Sequence, residues 1–143
     1  MTLPGQHLTD PTDFVRGRWN SDGPHTPESI AAAATAIEEL MRYLAHATRR
    51  DLDVPTLYAA TGSLAHATQI SEQVLTQLAN SCVAVSGRAD LRHDVADADP
   101  SSAALIAADE LGVEASRDVR SLRRLLDQAQ QQLAHLYVTG DDE

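Results

Sequence analysis

Between residues 100 and 137, ten successive positions at alternating steps of three and four are small or apolar: Leu105, Ala108, Gly112, Ala115, Val119, Leu122, Leu126, Ala129, Leu133 and Leu136. Leu111 and Leu125 widen this stripe. Such spacing places every member on one side of a helix and matches the seam of a coiled coil. Two earlier stretches keep the same step. One runs Ile30, Ala33, Ile37, Leu40, Leu44 and Ala47; the other runs from Leu57 through Ala60, Leu64, Ala67, Ser71, Val74, Leu78 and Ser81 to Val85. Strands would need a period of two, which none of these stretches shows.

Helix starts are written in a shared grammar. Thr26-Pro27-Glu28 supplies a cap, a proline at the first helical position and an acid in the first turn. Asp53-Val54-Pro55 and Asp99-Pro100 repeat the acid and proline, while Gly87 and Gly140 are natural stops. The spacing predicts helices over 27–50, 54–86 and 100–137. The expected fold is all-α: an antiparallel bundle of three long helices, preceded by an irregular arm over 1–25 rich in Pro, Gly, Asp and Thr. The bundle domain is expected over 26–138, with an acidic tail at 139–143. A 38-residue third helix would run about 57 Å, against about 36 Å for the first. Gly112 is the candidate break, because glycine in a helix interior costs roughly 1 kcal/mol relative to alanine. A break there gives four helices and a compact monomer; an unbroken helix leaves an overhang that needs a partner.

Composition narrows the function. Alanine takes 23 of the 143 positions and Phe, Trp and Tyr only five, a mix suited to close helix packing rather than sandwiches or barrels. The formal net charge of -10 argues against nucleic acid and against an anionic membrane surface as partners. Neither a membrane span nor a signal-peptide core is legible, so the expected location is cytoplasmic. A lone Cys82 excludes an internal disulfide. All 11 basic residues are Arg, read as codon bias of a GC-rich source, and the lack of Lys excludes Schiff-base and P-loop lysine chemistry.

Candidate chemistry is sparse. His46, His66 and His135 each fall two residues after a seam position, which places them on the solvated side of their helices. The chain holds no His-Glu-x-x-His and no Glu-x-x-His. Asp90, Asp94, Asp97 and Asp99 lie between the second and third helices, but Arg88 and Arg92 interleave and the spacing is not that of a calcium loop. The serines lack a nucleophile elbow. The reading is therefore a protein without catalytic, cofactor or metal residues.

Two features point to partners. Arg117, Arg120 and Arg124 recur at three and four residues beside Arg123, with Glu114, Asp118 and Asp127 placed to pair with them. Phe14 and Trp19, the single Phe and single Trp, sit in the polar arm, where Arg16 and Arg18 flank Trp19 as a recognition anchor. The expected function is a non-enzymatic interaction or assembly module, a homodimer or a binder of another protein. Its self-association seam is Leu105, Val119, Leu122, Leu126, Leu133 and Leu136, and its partner-binding residues are Phe14, Trp19, Arg117, Arg120 and Arg124. The alternative is a regulatory module that recognises an anionic effector at the Arg face or in an inter-helix pocket.

Overall fold

The computed structural model describes residues 10–139. They are all-helical, with no strand among them, and form a helical bundle fold. The chain divides into two compact units, Met1–Asp51 and Leu52–Glu143.

The first unit holds α1 (Pro11–Arg18) and α2 (Pro27–Ala47). α1 lies inside the stretch expected to be irregular, which corrects that expectation. Its start uses the same grammar as the others: Asp10 accepts from the Thr12 N–H at 2.8 Å and Pro11 follows with its φ already suited to a helix. The eight-residue length explains why periodicity did not reveal it. α2 begins with a reciprocal capping box: the Ser29 N–H donates to Thr26 Oγ1 at 3.1 Å and the Thr26 N–H to Ser29 Oγ at 3.0 Å. It closes three residues earlier than expected, where the Thr48 hydroxyl donates to the Leu44 carbonyl at 2.7 Å. Arg42 pairs with Glu38 at 2.7 Å and with Glu39, one turn back on the same helix.

The second unit is an antiparallel hairpin. α3 (Val54–Ser86) runs one way; α4 (Pro100–Asp109), a π-helical turn (Glu110–Ala115) and α5 (Ser116–Leu133) run back as one uninterrupted helical path. The candidate break at Gly112 is thus a π-turn, which adds a residue without ending the helix. The path ends at Leu133, four residues short of the expected end, and Gly140 lies outside the described residues. Four contacts fix the antiparallel pairing. The Ser101 hydroxyl donates to the Ser86 carbonyl, Gly112 abuts Ala79, Arg120 meets Glu72, and Gln130 covers Gly62.

The inward face of α3 is Thr61, Ala65, Thr68, Glu72, Leu75, Ala79, Cys82 and Ser86, all buried or half-buried at steps of four and three. On the returning path the inward residues are Ser101, Ala104, Ala108 and Leu111, then Ser116, Val119, Arg123, Leu126, Gln130 and Leu133. Ala65, Ala79, Ala108 and Ser116 are the fully buried residues among those described. Small side chains at these points let the two backbones approach closely.

Both long helical paths of the hairpin start at acids that titrate. Asp53 accepts from the Thr56 N–H at 2.8 Å, and Asp99 accepts from the Ser102 N–H at 3.2 Å and from its hydroxyl at 2.5 Å. Hydrogen bonding to Thr56 and to Ser102 holds the two carboxyls below the ordinary aspartate value. A carboxyl whose pKa is depressed on folding contributes stability above its unfolded pKa and loses it as pH falls through the folded one. Thermal stability is expected to hold down to about pH 5 and to decline below about pH 4. Asp53→Asn with Asp99→Asn keeps a capping oxygen but no titrating charge, so melts across this range should show a shallower acid decline. An unchanged slope in the double variant would contradict the assignment.

Candidate interaction surface

The two long helical paths of the hairpin share an inward face, and the residues just before each inward position decide what the outside presents. On α3 the expected seam lies one residue ahead of the inward face. Leu78 precedes Ala79 and Val85 precedes Ser86, and both are left substantially exposed, as is Val74. On α5, Leu122 precedes Arg123 in the same sense. A twofold axis normal to an antiparallel pair keeps equivalent positions on one side, so these residues share one side of the hairpin. Leu122 is 50% and Leu125 54% exposed, next to a helix interface whose inward positions include Arg123 and Gln130.

The six seam residues named from the sequence therefore divide. Val119, Leu126 and Leu133 are half-buried against α3, whereas Leu105, Leu122 and Leu136 are exposed. For Leu122 the cause is the π-turn; Leu105 lies ahead of it, one residue past the inward Ala104, and Leu136 lies beyond the end of α5. Inward positions step from Leu111 to Ser116, five residues instead of three or four, and every later position is shifted by one relative to an unbroken seam. The Ser116 hydroxyl marks the place: it is 1% exposed and donates to the Leu111 carbonyl at 3.1 Å, across that five-residue step. A serine among alanines and leucines was the one signal in the sequence that could have located the shift.

The Arg face is largely engaged with acids. Arg117 makes two hydrogen bonds to Glu114, at 2.9 and 3.1 Å, as the spacing predicted. Arg123 stands 3.8 Å from Asp127. Arg120 instead reaches across the hairpin to Glu72, Nε to Oε1, at 2.7 Å, a partner that intrahelical spacing could not name. Arg124 makes no ion pair among the described residues. With the Arg120 side chain 64% exposed, its pair with Glu72 is worth no more than about 1 kcal/mol. Arg120→Ala is expected to lower stability by about 0.2–1 kcal/mol in low salt and by less in high salt. A loss beyond about 2 kcal/mol in denaturant titrations would mean the pair holds the hairpin in register.

Phe14 is exposed on α1, and Trp19 is half-buried at its C-terminal cap with the Arg18 guanidinium 5.8 Å from its ring centroid. That distance suits a cation–π contact. His46, His66 and His135 are exposed, and no group of three metal-ligating side chains occurs among the described residues. In the acidic connection Asp90 is paired with Arg88 at 2.6 Å, which lowers its pKa, and Asp99 is occupied as a cap. Asp97 adopts a φ of 66°, a left-handed conformation that aspartate tolerates better than most residues.

An open cleft of about 610 Å3, lined by residues that the sequence did not single out as a pocket, lies at the free end of the hairpin. Leu52, Val54, Pro55 and Tyr58 line it from one side, and Leu133, Leu136, Tyr137 and Val138 from the other. Its one charged lining residue, Asp53, is the cap of α3.

No family model, no curated protein and no solved structure matches this chain. The class that fold and surface define is an all-α helical bundle with a hairpin unit that carries an exposed apolar side. Among the described residues no helix is long and apolar enough to cross a membrane.

Proposed function

We propose that this protein is a non-enzymatic assembly module that pairs with a second copy of itself through the apolar side of its hairpin. The observation that carries this reading is an inversion of burial. The fully buried residues of the hairpin are three alanines and a serine, while Val74, Leu78, Leu122 and Leu125 remain substantially exposed. Two helices make a single layer, and a stable domain needs a second layer against its apolar face. Two hairpins laid face to face supply it as a four-helix bundle, and twofold symmetry lets the same residues serve both copies.

The alternative, recognition of an anionic effector, has less to support it. Arg117 and Arg120 already have carboxylate partners, and the cleft at the free end presents an acid rather than a base. Contacts to another protein through Phe14 and Trp19 remain part of the proposal as a secondary surface. Size-exclusion chromatography with light scattering, over about a hundredfold range of concentration, tests the main reading. The expected mass is twice 15.4 kDa at the upper end, falling on dilution. A mass of 15.4 kDa throughout would overturn it.

A further inference from the structure

Helix α2 carries an apolar face that nothing in the first unit covers. Ile30, Ile37, Leu40, Met41 and Tyr43 are between 51% and 68% exposed. No residue of α2 is fully buried, and α1, the other helix of its unit, does not pack against it. On the heptad that starts with Ile30, the seam is Ile30, Ala33, Ile37, Leu40, Leu44 and Ala47. The flanking residues Ala34, Ala36, Met41 and Tyr43 are apolar too, so the face is broad. Glu28, Glu38, Glu39 and Arg42 lie on the opposite side, where Arg42 is already paired with the two neighbouring glutamates.

The face is graded in size. Apart from Ile30, its N-terminal half is built on alanines, and its C-terminal half on Ile37, Leu40, Met41, Tyr43 and Leu44. A parallel copy would set alanine on alanine and leave holes. An antiparallel copy, with the twofold axis between Ile37 and Leu40, sets large against small: Ile30 opposite Ala47, Leu44 opposite Ala33, Tyr43 beside Ala36 and Met41 beside Ala34. The same alignment opposes the helix dipoles and brings Glu28, the acid of the first turn, level with Arg49 just past the last turn of the second copy. At 21 residues α2 is about 31 Å long, so a pair would bury on the order of 1,000 Å2 over both copies, the size at which specific interfaces begin.

We infer that α2 is a second self-association element, pairing antiparallel with the α2 of a second copy of this chain. This inference rests on the self-association reading and adds a contact to the one proposed for the hairpin. The two contacts share no residue, so each can be broken without touching the other.

Paired thiols read both the contact and its direction. In a Cys82→Ser background, Ala33→Cys with Leu44→Cys places two thiols about 16 Å apart along one helix, too far to bridge within a chain. Antiparallel pairing brings each of them to the other thiol of the second copy. Mild oxidation of the double variant is expected to give a covalent dimer of twice 15.4 kDa on a non-reducing gel. Its yield should be on the order of tenfold that of either single variant, whose thiols the antiparallel pair holds apart. Ile30→Cys with Ala47→Cys repeats the test at another opposed pair, and decides it if the first variant loses its helical circular dichroism. Single variants that cross-link as well as the double ones would mean chance collision or a parallel pair. No cross-link in either double variant would mean that something other than a second α2 covers this face. Each of these results would overturn the inference.

The same thiols placed in a Leu122→Glu/Leu125→Glu protein keep the two contacts apart. A dimer that survives those glutamates under reducing conditions, with cross-links still forming on oxidation, would remove the hairpin contact and leave α2 pairing. A dimer lost to them, with no cross-link at α2 in the parent protein, would remove α2 pairing and leave the hairpin contact.

Discussion

Replacing Leu122 and Leu125 together by Glu is expected to turn a concentration-dependent dimer into a monomer. Both are about half exposed in the single chain, so the substitutions remove little that the hairpin itself uses. In a pair of hairpins each would be buried, and burying a leucine is worth about 1.5–3 kcal/mol. Losing two from each copy, and forcing carboxylates towards the same surface, should raise the dissociation constant by more than about a hundredfold, since each 1.4 kcal/mol is a factor of ten. Light scattering reads the mass, and circular dichroism at equal concentration reads what the helices lose with the partner. Arg117→Ala with Arg124→Ala is the matched control, because it alters the same helix on another face. A Leu122→Glu/Leu125→Glu protein that keeps the mass of a dimer would place the contact elsewhere.

The second large effect is expected at Gly112. A Cβ there would lie 2.9 Å from the Ala79 Cβ, a clash between two atoms with no rotamer to escape by. Gly112→Val should therefore destabilise the hairpin by about 1–3 kcal/mol, as overpacking of a tight core does. Ala79→Gly should recover part of that loss when combined with it. Gly62 looks more crowded, since a Cβ there would run into Gln130 Nε2, yet the obstacle is the far end of a flexible amide. Gln130 can swing away, and alanine is the better helix former by roughly 1 kcal/mol. Gly62→Ala is thus expected to be neutral or mildly stabilising. Chemical denaturation of the variants checks the contrast, and equal losses at both glycines would refute the distinction.

What the sequence made legible follows from how local each signal is. Helix starts at Pro27, Val54 and Pro100 depend on a cap and a proline within three residues, and all fall where the sequence placed them. α1 obeys the same rule at Asp10-Pro11 and was missed because eight residues cannot display a helical period. Helix ends depend on weaker cues, which is why α2 and α5 stop short of their expected limits. The fold class was readable because three- and four-step spacing survives any rotation of a helix about its axis.

Which way that spacing faces was not readable. The rotation of α5 rests on a single extra residue near Gly112, and a run of apolar positions looks the same whether it passes through a π-turn or not. Leu105, Leu122 and Leu136 belong to the apolar pattern of the sequence, yet the structure leaves them exposed. Arg120 shows the same limit for charge. Glu114 was visible as a partner for its neighbour Arg117 three residues away, while Glu72 lies 48 residues from Arg120 and enters only through the antiparallel pairing.

The fully buried positions of the hairpin also set how its sequence can drift. Ala65, Ala79, Ala108 and Ser116 are fully buried, so an added methylene at any of them has to be accommodated within the packed hairpin. The exposed leucines and valines are constrained only as far as a partner requires. Under the proposed self-association, a lineage that ceased to pair would keep its alanines and let its leucines go.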